Sequence, residues 1–215
     1  MAGKVGSKPM DITSGDGVDA PTGELPGQGS SAAWAVTYLF SPVVLVSAYL
    51  LLMPWRSPET TWLQAVVALV FTTGLPWLGV VWMRHSGRVT DLHVRERSQR
   101  WPVFVLAGAS LLVGCGVLLL LRAPAAVFTT LALILAGLLI CLVVNLRWKI
   151  SVHTAVAAFI WLTVFSGPDW GPAAALFMTL LVGWSRLELR RHTPGQVLAG
   201  ALVGCAVFVA GLALS

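Results

Sequence analysis

Charged side chains are scarce in this chain. Only 11% of its 215 residues are Asp, Glu, Lys or Arg, and 57% are hydrophobic, whereas about a quarter of the residues in a soluble domain are charged. Segments such as 102–121 and 127–146 contain no charge, and each approaches the ~20 residues that a helix needs to cross a bilayer. This shortage excludes an ordinary soluble domain and predicts an all-α polytopic membrane protein.

Cysteine and acidic residues are also few, and their positions exclude two kinds of site. Cys115, Cys141 and Cys205 lie inside apolar segments, where they act as small hydrophobic residues, so neither a disulfide framework nor a metal-binding spacing is indicated. Apart from Glu188, the 9 acidic residues lie in the N-terminal tail or in loops. Membrane prenyltransferases need acid-rich metal-binding motifs, so the scarcity of acidic residues argues against this class.

The N-terminal residues 1–31 lack large apolar side chains and are rich in Gly, Ser, Pro and Asp. This composition predicts a disordered tail and no signal peptide, because the tail has no apolar core. Residues 32–215 are expected to form one membrane-embedded helical domain. The net charge of +5 does not indicate a nucleic-acid partner, since the cations lie in short loops, where they usually record membrane orientation.

Apolar segments after the tail predict a bundle of six to seven helices with its polar motifs clustered at one membrane face. The segments are roughly 33–54, 62–83, 102–121, 125–146, 153–166, 172–187 and 194–214. The fifth and sixth are short for full spans, and Gly and Pro in residues 167–172 separate them as a tight turn or loop.

The distribution of cations predicts the orientation of this bundle. Seven spans would leave only Arg56 and Arg122, of the 14 Lys and Arg residues, on the side opposite the N terminus. This bias predicts that the N terminus and the polar motifs face the cytoplasm of a multi-pass cell-membrane protein.

Two short polar stretches interrupt the apolar sequence and are candidates for a shared site. The first is Lys149–His153, and the second runs from Ser185 and Arg186 to His192 and Gln196. Ionisable groups at membrane depth are costly, so histidines and cations beside apolar segments favour a functional role. Because an even number of predicted spans separates them, both stretches and the basic segment 91–102 are expected on one face.

These side chains suit the chemistry of a phosphoryl group. Guanidinium and ammonium groups bind its oxygens, and the candidates are Arg186, Lys149 and one or more of Arg95, Arg97 and Arg100. Of two histidines, one can attack phosphorus while the other protonates the leaving oxygen. Gln196, four residues after His192, can hold the second nitrogen of that ring.

The motifs resemble the signatures of the type-2 phosphatidic acid phosphatase family. Ser185-Arg186, five residues and His192 resemble the third signature, Ile150–His153 resembles the second, and Arg95–Pro102 resembles the first more loosely. The resemblance covers roughly residues 90–205. It implies a metal-independent and cofactor-independent enzyme whose substrate is a lipid phosphate in the membrane.

The same resemblance implies individual roles for the matched residues. His192 would be the nucleophile that forms a phosphohistidine, and His153 would be the acid for the leaving group. Arg186 and Arg100 would bind the phosphate oxygens, and Ser151 would donate a hydrogen bond to them. Gln196 stands where the family usually has Asp, and Ile150 and Val152 replace the family's Pro and Gly.

The sequence therefore predicts an integral-membrane lipid phosphatase and leaves one alternative of another class. The phosphatase would hydrolyse a polyprenyl, prenyl or phosphatidyl phosphate or diphosphate. The alternative is a non-catalytic relative that binds or carries an anionic lipid, because Gln196 is not a carboxylate and Val152 stands where the family has Gly. The segment 95–100 could equally be a lipid-binding basic loop, and the histidines, taken singly, could be polar residues at headgroup level.

Overall fold

The computed structural model describes residues 29–87 and 100–214. Within these ranges the chain is helical and contains no strand, which confirms the predicted all-α class. Residues 1–28 of the predicted disordered tail, and the candidate phosphate ligands Arg95 and Arg97, lie outside the described residues. The division into a tail and a single domain therefore stays a prediction.

The helices follow the predicted apolar segments closely. The described residues form α1 (Ser31–Leu39), α2 (Pro42–Arg56), α3 (Trp62–Leu69), a π-helical segment (Val70–Gly74), α4 (Leu75–His85), α5 (Arg100–Leu120), α6 (Ala125–Arg147), α7 (Val152–Val164), α8 (Gly171–Glu188) and α9 (Pro194–Leu212). The first predicted segment is divided between α1 and α2, and the second contains α3, the π-helical segment and α4.

Four helical stretches among the described residues are long and apolar enough to cross a membrane. They are Trp62–His85, Trp101–Leu120, Ala125–Arg147 and Pro194–Leu212, and α1 with α2 makes a fifth if this pair, bent by 41°, counts as one span. Helix α7 has 13 residues and is about 20 Å long, which is less than the ~30 Å of a bilayer core. These helices fit a multi-pass membrane protein, and the predicted orientation stays a prediction.

Hydroxyl side chains mark the N-termini of several helices. The N-caps of α1, α2, α3, α7 and α9 each accept a hydrogen bond from a first-turn N–H group, and they are Ser30, Ser41, Thr61, Ser151 and Thr193. Such caps satisfy backbone donors that have no partner inside the helix. The sequence thus contains local start signals for α7, which contains His153, and for α9, which His192 directly precedes.

Helices α7 and α9 pack very closely because glycines face the backbone of α7. A Cβ atom at Gly200 would overlap the carbonyl oxygen of Ser151, and one at Gly204 would overlap the carbonyl oxygen of Ala155. Small residues at such positions allow two membrane helices to approach each other. This contact fixes the second and third turns of α9 against the first turns of α7.

A buried apolar cluster brings α5 and α6 to the start of α7. Phe104 near the start of α5 packs with Cys141 near the end of α6 and with Ile150 and Ala155 at the start of α7. The first residue of α5, Arg100, therefore lies at the same end of the bundle as the start of α7. We call this the polar end, defined by Ser151, Arg186 and Gln196.

Candidate active site at the polar end of the bundle

One backbone hydrogen bond joins the two polar stretches of the sequence. The N–H group of Ser151 donates to the carbonyl oxygen of Gln196, with 3.2 Å between N and O. Beside it, the Thr154 hydroxyl contacts the carbonyl oxygens of Ser151 at 3.0 Å and Val197 at 3.1 Å. The N-termini of α7 and α9 are therefore adjacent, although they lie far apart in the sequence.

Both candidate histidines lie at these adjacent N-termini. His153 is the second residue of α7, and His192 directly precedes Thr193, the N-cap of α9. Both side chains are half-buried. Because helix N-termini carry partial positive charge and N–H groups, a pair of them attracts an anionic group such as phosphate.

The His192 ring is held by the side chain of Gln196. Its Nδ1 atom lies 3.1 Å from Oε1 of Gln196. The same Oε1 accepts a hydrogen bond from the N–H of Thr193 at 3.3 Å, and the N–H of Gln196 donates to the Thr193 hydroxyl at 3.4 Å. The last two bonds form a capping box, so the start of α9 also positions the amide that holds the ring.

This network determines which nitrogen of a neutral His192 carries the proton. The backbone N–H of Thr193 can only donate, so the atom of Gln196 that it meets must be the amide oxygen. An oxygen accepts, and Nδ1 of His192 must therefore be the N–H donor to it. The lone pair of the neutral ring then lies on Nε2, the nitrogen that acts as a nucleophile in this tautomer.

Arg186 is buried beside this site in the last turns of α8. Only 5% of its surface is exposed, and its Nη1 atom donates a hydrogen bond to Thr37 in α1 at 3.3 Å. A nearly buried guanidinium is costly in a membrane protein. Its burial at the polar end favours a role in binding an anion.

The turn between α8 and α9 accounts for the spacing of Arg186 and His192. Arg190 adopts a left-handed conformation with φ of 49°. The N–H of Arg190 donates to the carbonyl of Leu187, and the N–H of Arg191 donates to the carbonyl of Arg186. This pair of bonds is a Schellman motif, and it ends α8 so that His192 comes directly before the N-cap of α9.

The predicted phosphate ligands differ in how the structure places them. Ser151 is fully buried, and its Oγ accepts a hydrogen bond from the N–H of Thr154 at 3.4 Å, so its described role is to cap α7. Lys149 is half-buried, two residues before this cap. Arg100 is described as the first residue of α5, and Arg97 lies outside the described residues.

Sequence reasoning missed Thr37 and Thr154. Thr37 is fully buried and contacts Arg186 and Ser185 on α8, and Thr154 joins α7 to α9. A Thr inside an apolar helix commonly bonds to its own backbone, so neither residue stands out before the helices are packed. The hydroxyl that follows the second signature, at Thr154, was the one available signal.

The chain matches no protein-family model, no curated protein and no solved structure. Support for a function therefore comes from the residues at the polar end. They combine two histidines on adjacent helix N-termini, a buried arginine and a neighbouring lysine, a set that suits transfer of a phosphoryl group.

Proposed function

We propose that the chain is an integral-membrane lipid phosphatase that hydrolyses a phosphomonoester or a diphosphate through a phosphohistidine intermediate. The observation that carries this proposal is the contact between Nδ1 of His192 and Oε1 of Gln196 at 3.1 Å. It leaves the lone pair of the ring on Nε2, at an end of the bundle where two helix N-termini meet. The resemblance of the motifs to type-2 phosphatidic acid phosphatases supports the same reaction.

In the first step, Nε2 of His192 attacks the phosphorus atom of the substrate. A P–N bond forms, the bond between phosphorus and the leaving oxygen breaks, and protonated His153 gives its proton to that oxygen. The lipid alcohol leaves, or the lipid monophosphate leaves if the substrate is a diphosphate. A well-placed general acid contributes about 10²–10⁴-fold to such a step.

In the second step, water attacks the phosphohistidine. His153, now neutral, accepts a proton from the water, the P–N bond breaks, and inorganic phosphate is released as His192 is regenerated. Arg186, Lys149 and Arg100 bind the phosphate oxygens and offset their charge in both steps. No metal ion is needed for these bond changes.

Gln196 affects the rate of both steps. The His192 ring gains positive charge as Nε2 attacks, and the Gln196 carbonyl stabilises it only as a neutral hydrogen-bond acceptor. A carboxylate at this position would stabilise the imidazolium more strongly, because bonds between charged groups are about twice as strong. We therefore expect a slow enzyme.

The position of the site supports a lipid substrate. The polar end lies where membrane helices begin and end, which is the depth of lipid headgroups. Polyprenyl phosphates, prenyl diphosphates and phosphatidyl phosphates present their phosphate at this depth. The excess of cations on the N-terminal side favours a substrate in the cytoplasmic leaflet.

The neutral side chain of Gln196 favours one alternative, a protein that binds or carries an anionic lipid without hydrolysing it. One experiment distinguishes the two functions. Purified protein in detergent is incubated with a panel of lipid phosphates, and both lipid binding and inorganic phosphate release are recorded. Binding without release would support the carrier.

Variants of the histidines test the phosphatase directly. His192→Ala should lower phosphate release about 10³-fold or more, and His153→Ala should lower it about 10²–10⁴-fold. His85, an exposed histidine at the end of α4, provides the matched control, and His85→Ala should retain wild-type activity. Equal activity of all three variants and the wild type would contradict the proposed reaction.

A further inference from the structure

Thr37 is a fully buried residue of α1 that contacts two neighbouring side chains of α8. Its Oγ1 atom lies 3.1 Å from Oγ of Ser185 and 3.3 Å from Nη1 of Arg186. The three sequence motifs do not include α1, which precedes all of them in the chain. The contact nevertheless ties α1 to the arginine that we assign to phosphate binding.

The direction of each hydrogen bond in this group is determined by the donors available. Oγ of Ser185 lies 2.7 Å from the carbonyl oxygen of Val182, so the single hydroxyl proton of Ser185 goes to that carbonyl. Thr37 must then donate its own proton to Ser185, and its lone pairs accept from Arg186, which can only donate. The result is a one-way chain from Arg186 through Thr37 and Ser185 to the backbone of α8, in which the bonds polarise one another.

A second contact places the same face of α1 against the turn that follows α8. The ring of Trp34 lies 5.2 Å from Cζ of Arg191, a distance typical of a cation–π contact. Trp34 and Thr37 are three residues apart, so they share one face of the helix. This face therefore contacts both Arg186 and Arg191, on the two sides of the turn that leads to His192.

We propose that Thr37 is a positioning residue that holds the Arg186 guanidinium in the orientation needed to bind phosphate, an inference that rests on the proposed phosphatase function. An arginine side chain is long and has many rotamers, and its planar fork binds an oxyanion only when its plane is correctly oriented. A buried acceptor on a neighbouring helix fixes Nη1 and with it the plane of the fork. Helix α1 thereby becomes part of the phosphate site.

The test compares two substitutions at Thr37 with a matched control. Thr37→Val keeps the shape of the side chain but removes the hydroxyl, Thr37→Ser keeps the hydroxyl, and Thr179→Val removes a buried hydroxyl that bonds to its own helix at Ala175. Inhibition by orthovanadate and by inorganic phosphate is measured for each protein. We expect Thr37→Val to raise both inhibition constants about tenfold, the effect of losing a hydrogen bond to a charged group.

The variants Thr37→Ser and Thr179→Val should not show this increase in the inhibition constants. Thr37→Ser should stay within about threefold of the wild type, because its hydroxyl can form the same chain, and Thr179→Val should match the wild type. If Thr37→Val does not fold, Thr37→Ala is measured in its place. Inhibition constants that stay at the wild-type value in a folded Thr37 variant without the hydroxyl would overturn the inference.

A double-mutant cycle separates positioning from general destabilisation. In an Arg186→Gln background, Thr37→Val should cause no further loss of kcat/KM, because the side chain that it positions is gone. Additive losses would mean that Thr37 acts independently of Arg186, and the inference would be wrong.

Failure of this inference can be told apart from failure of the proposed function. If the wild type releases phosphate and the Thr37→Val variant is equally active and equally inhibited, the proposed phosphatase function stands and only the role of Thr37 is wrong. A wild type that releases no phosphate and is not bound by vanadate removes both.

Discussion

The backbone N–H of Ser151 donates a hydrogen bond to the carbonyl oxygen of Gln196, with 3.2 Å between the two atoms. Ser151 caps α7 and Gln196 closes the capping box of α9, so this bond joins two helix start signals. The consequence is that His153, in the first turn of α7, lies near the start of α9, which His192 directly precedes. The following experiments test what this arrangement does.

Replacing Gln196 by Glu should make the proposed phosphatase faster. Glutamate has the length of glutamine and also closes capping boxes, so the ring contact at Nδ1 of His192 can be kept while the amide oxygen becomes a carboxylate oxygen. The stronger bond to the imidazolium should raise kcat about fivefold to tenfold, measured as phosphate release in detergent.

Gln196→Met provides the opposite control for this position. Methionine fills similar space but cannot accept the two hydrogen bonds to Oε1, so activity should fall well below that of the wild type. A Gln196→Glu variant no faster than the wild type would contradict the stated reason for a slow reaction.

The phosphohistidine should be detectable as a covalent label on His192. Wild-type protein mixed with a ³²P-labelled lipid phosphate and quenched in denaturant should carry acid-labile, base-stable radioactivity. Because the proposed reaction forms the P–N bond at Nε2 of this ring, His192→Ala should carry no label. Label that persists in His192→Ala but disappears in another variant would assign the nucleophile elsewhere.

Removing the cap of α9 should reduce both stability and activity. Thr193→Ala loses the acceptor for the Gln196 N–H, which should lower the free energy of unfolding by about 1 kcal/mol and loosen the side chain that holds His192. Ser41 caps α2 through the N–H of Val44, outside the polar end, and Ser41→Ala is the matched control. Unfolding in detergent should show similar losses of stability, and only Thr193→Ala should lower kcat.

The close contact of α9 with α7 can be tested with glycine substitutions. Gly200→Ala places a methyl group against the carbonyl of Ser151, which should destabilise the protein by about 1–3 kcal/mol. Gly116 in α5 has no atom within 4 Å of the position of an added Cβ, so Gly116→Ala should be neutral or stabilise the helix by up to about 1 kcal/mol. The midpoint of thermal unfolding in detergent distinguishes the two variants, and equal midpoints would contradict the contact.

The sequence predicts the helices of this protein well for physical reasons. Segments without charge can only lie in a bilayer or a core, and Ser, Thr and Pro at their starts fix the boundaries, as at Thr193–Pro194. The break at Ser41–Pro42 and the π-helical segment Val70–Gly74 were missed, because the apolar pattern continues unchanged through both. The break contains Pro42, and the π-helical segment is followed by Pro76. A proline indicates that the helix geometry changes nearby, but it does not determine how large the change is.

The candidate site is predictable only in part. The spacing of Arg186 and His192 follows from local rules, since a helix end and a helix start lie between them. Which atoms meet across the bundle depends on packing over long sequence separations, as for Thr37 with Arg186. Ser151 illustrates the limit: the motif indicates a phosphate ligand, whereas the described side chain caps α7.

Hydrogen bonds in the turn after α8 set the spacing between Arg186 and His192. The N–H groups of Leu189, Arg190 and Arg191 donate backward to carbonyls of α8, and the N–H of Thr193 donates forward to Gln196. Because hydrogen bonds hold both ends of this turn, one inserted residue should rotate His192 away from Arg186 instead of forming an outward bulge. The exposed stretch 166–170 between α7 and α8 does not lead directly into a candidate histidine. Lengthening this stretch should therefore leave phosphate release unchanged.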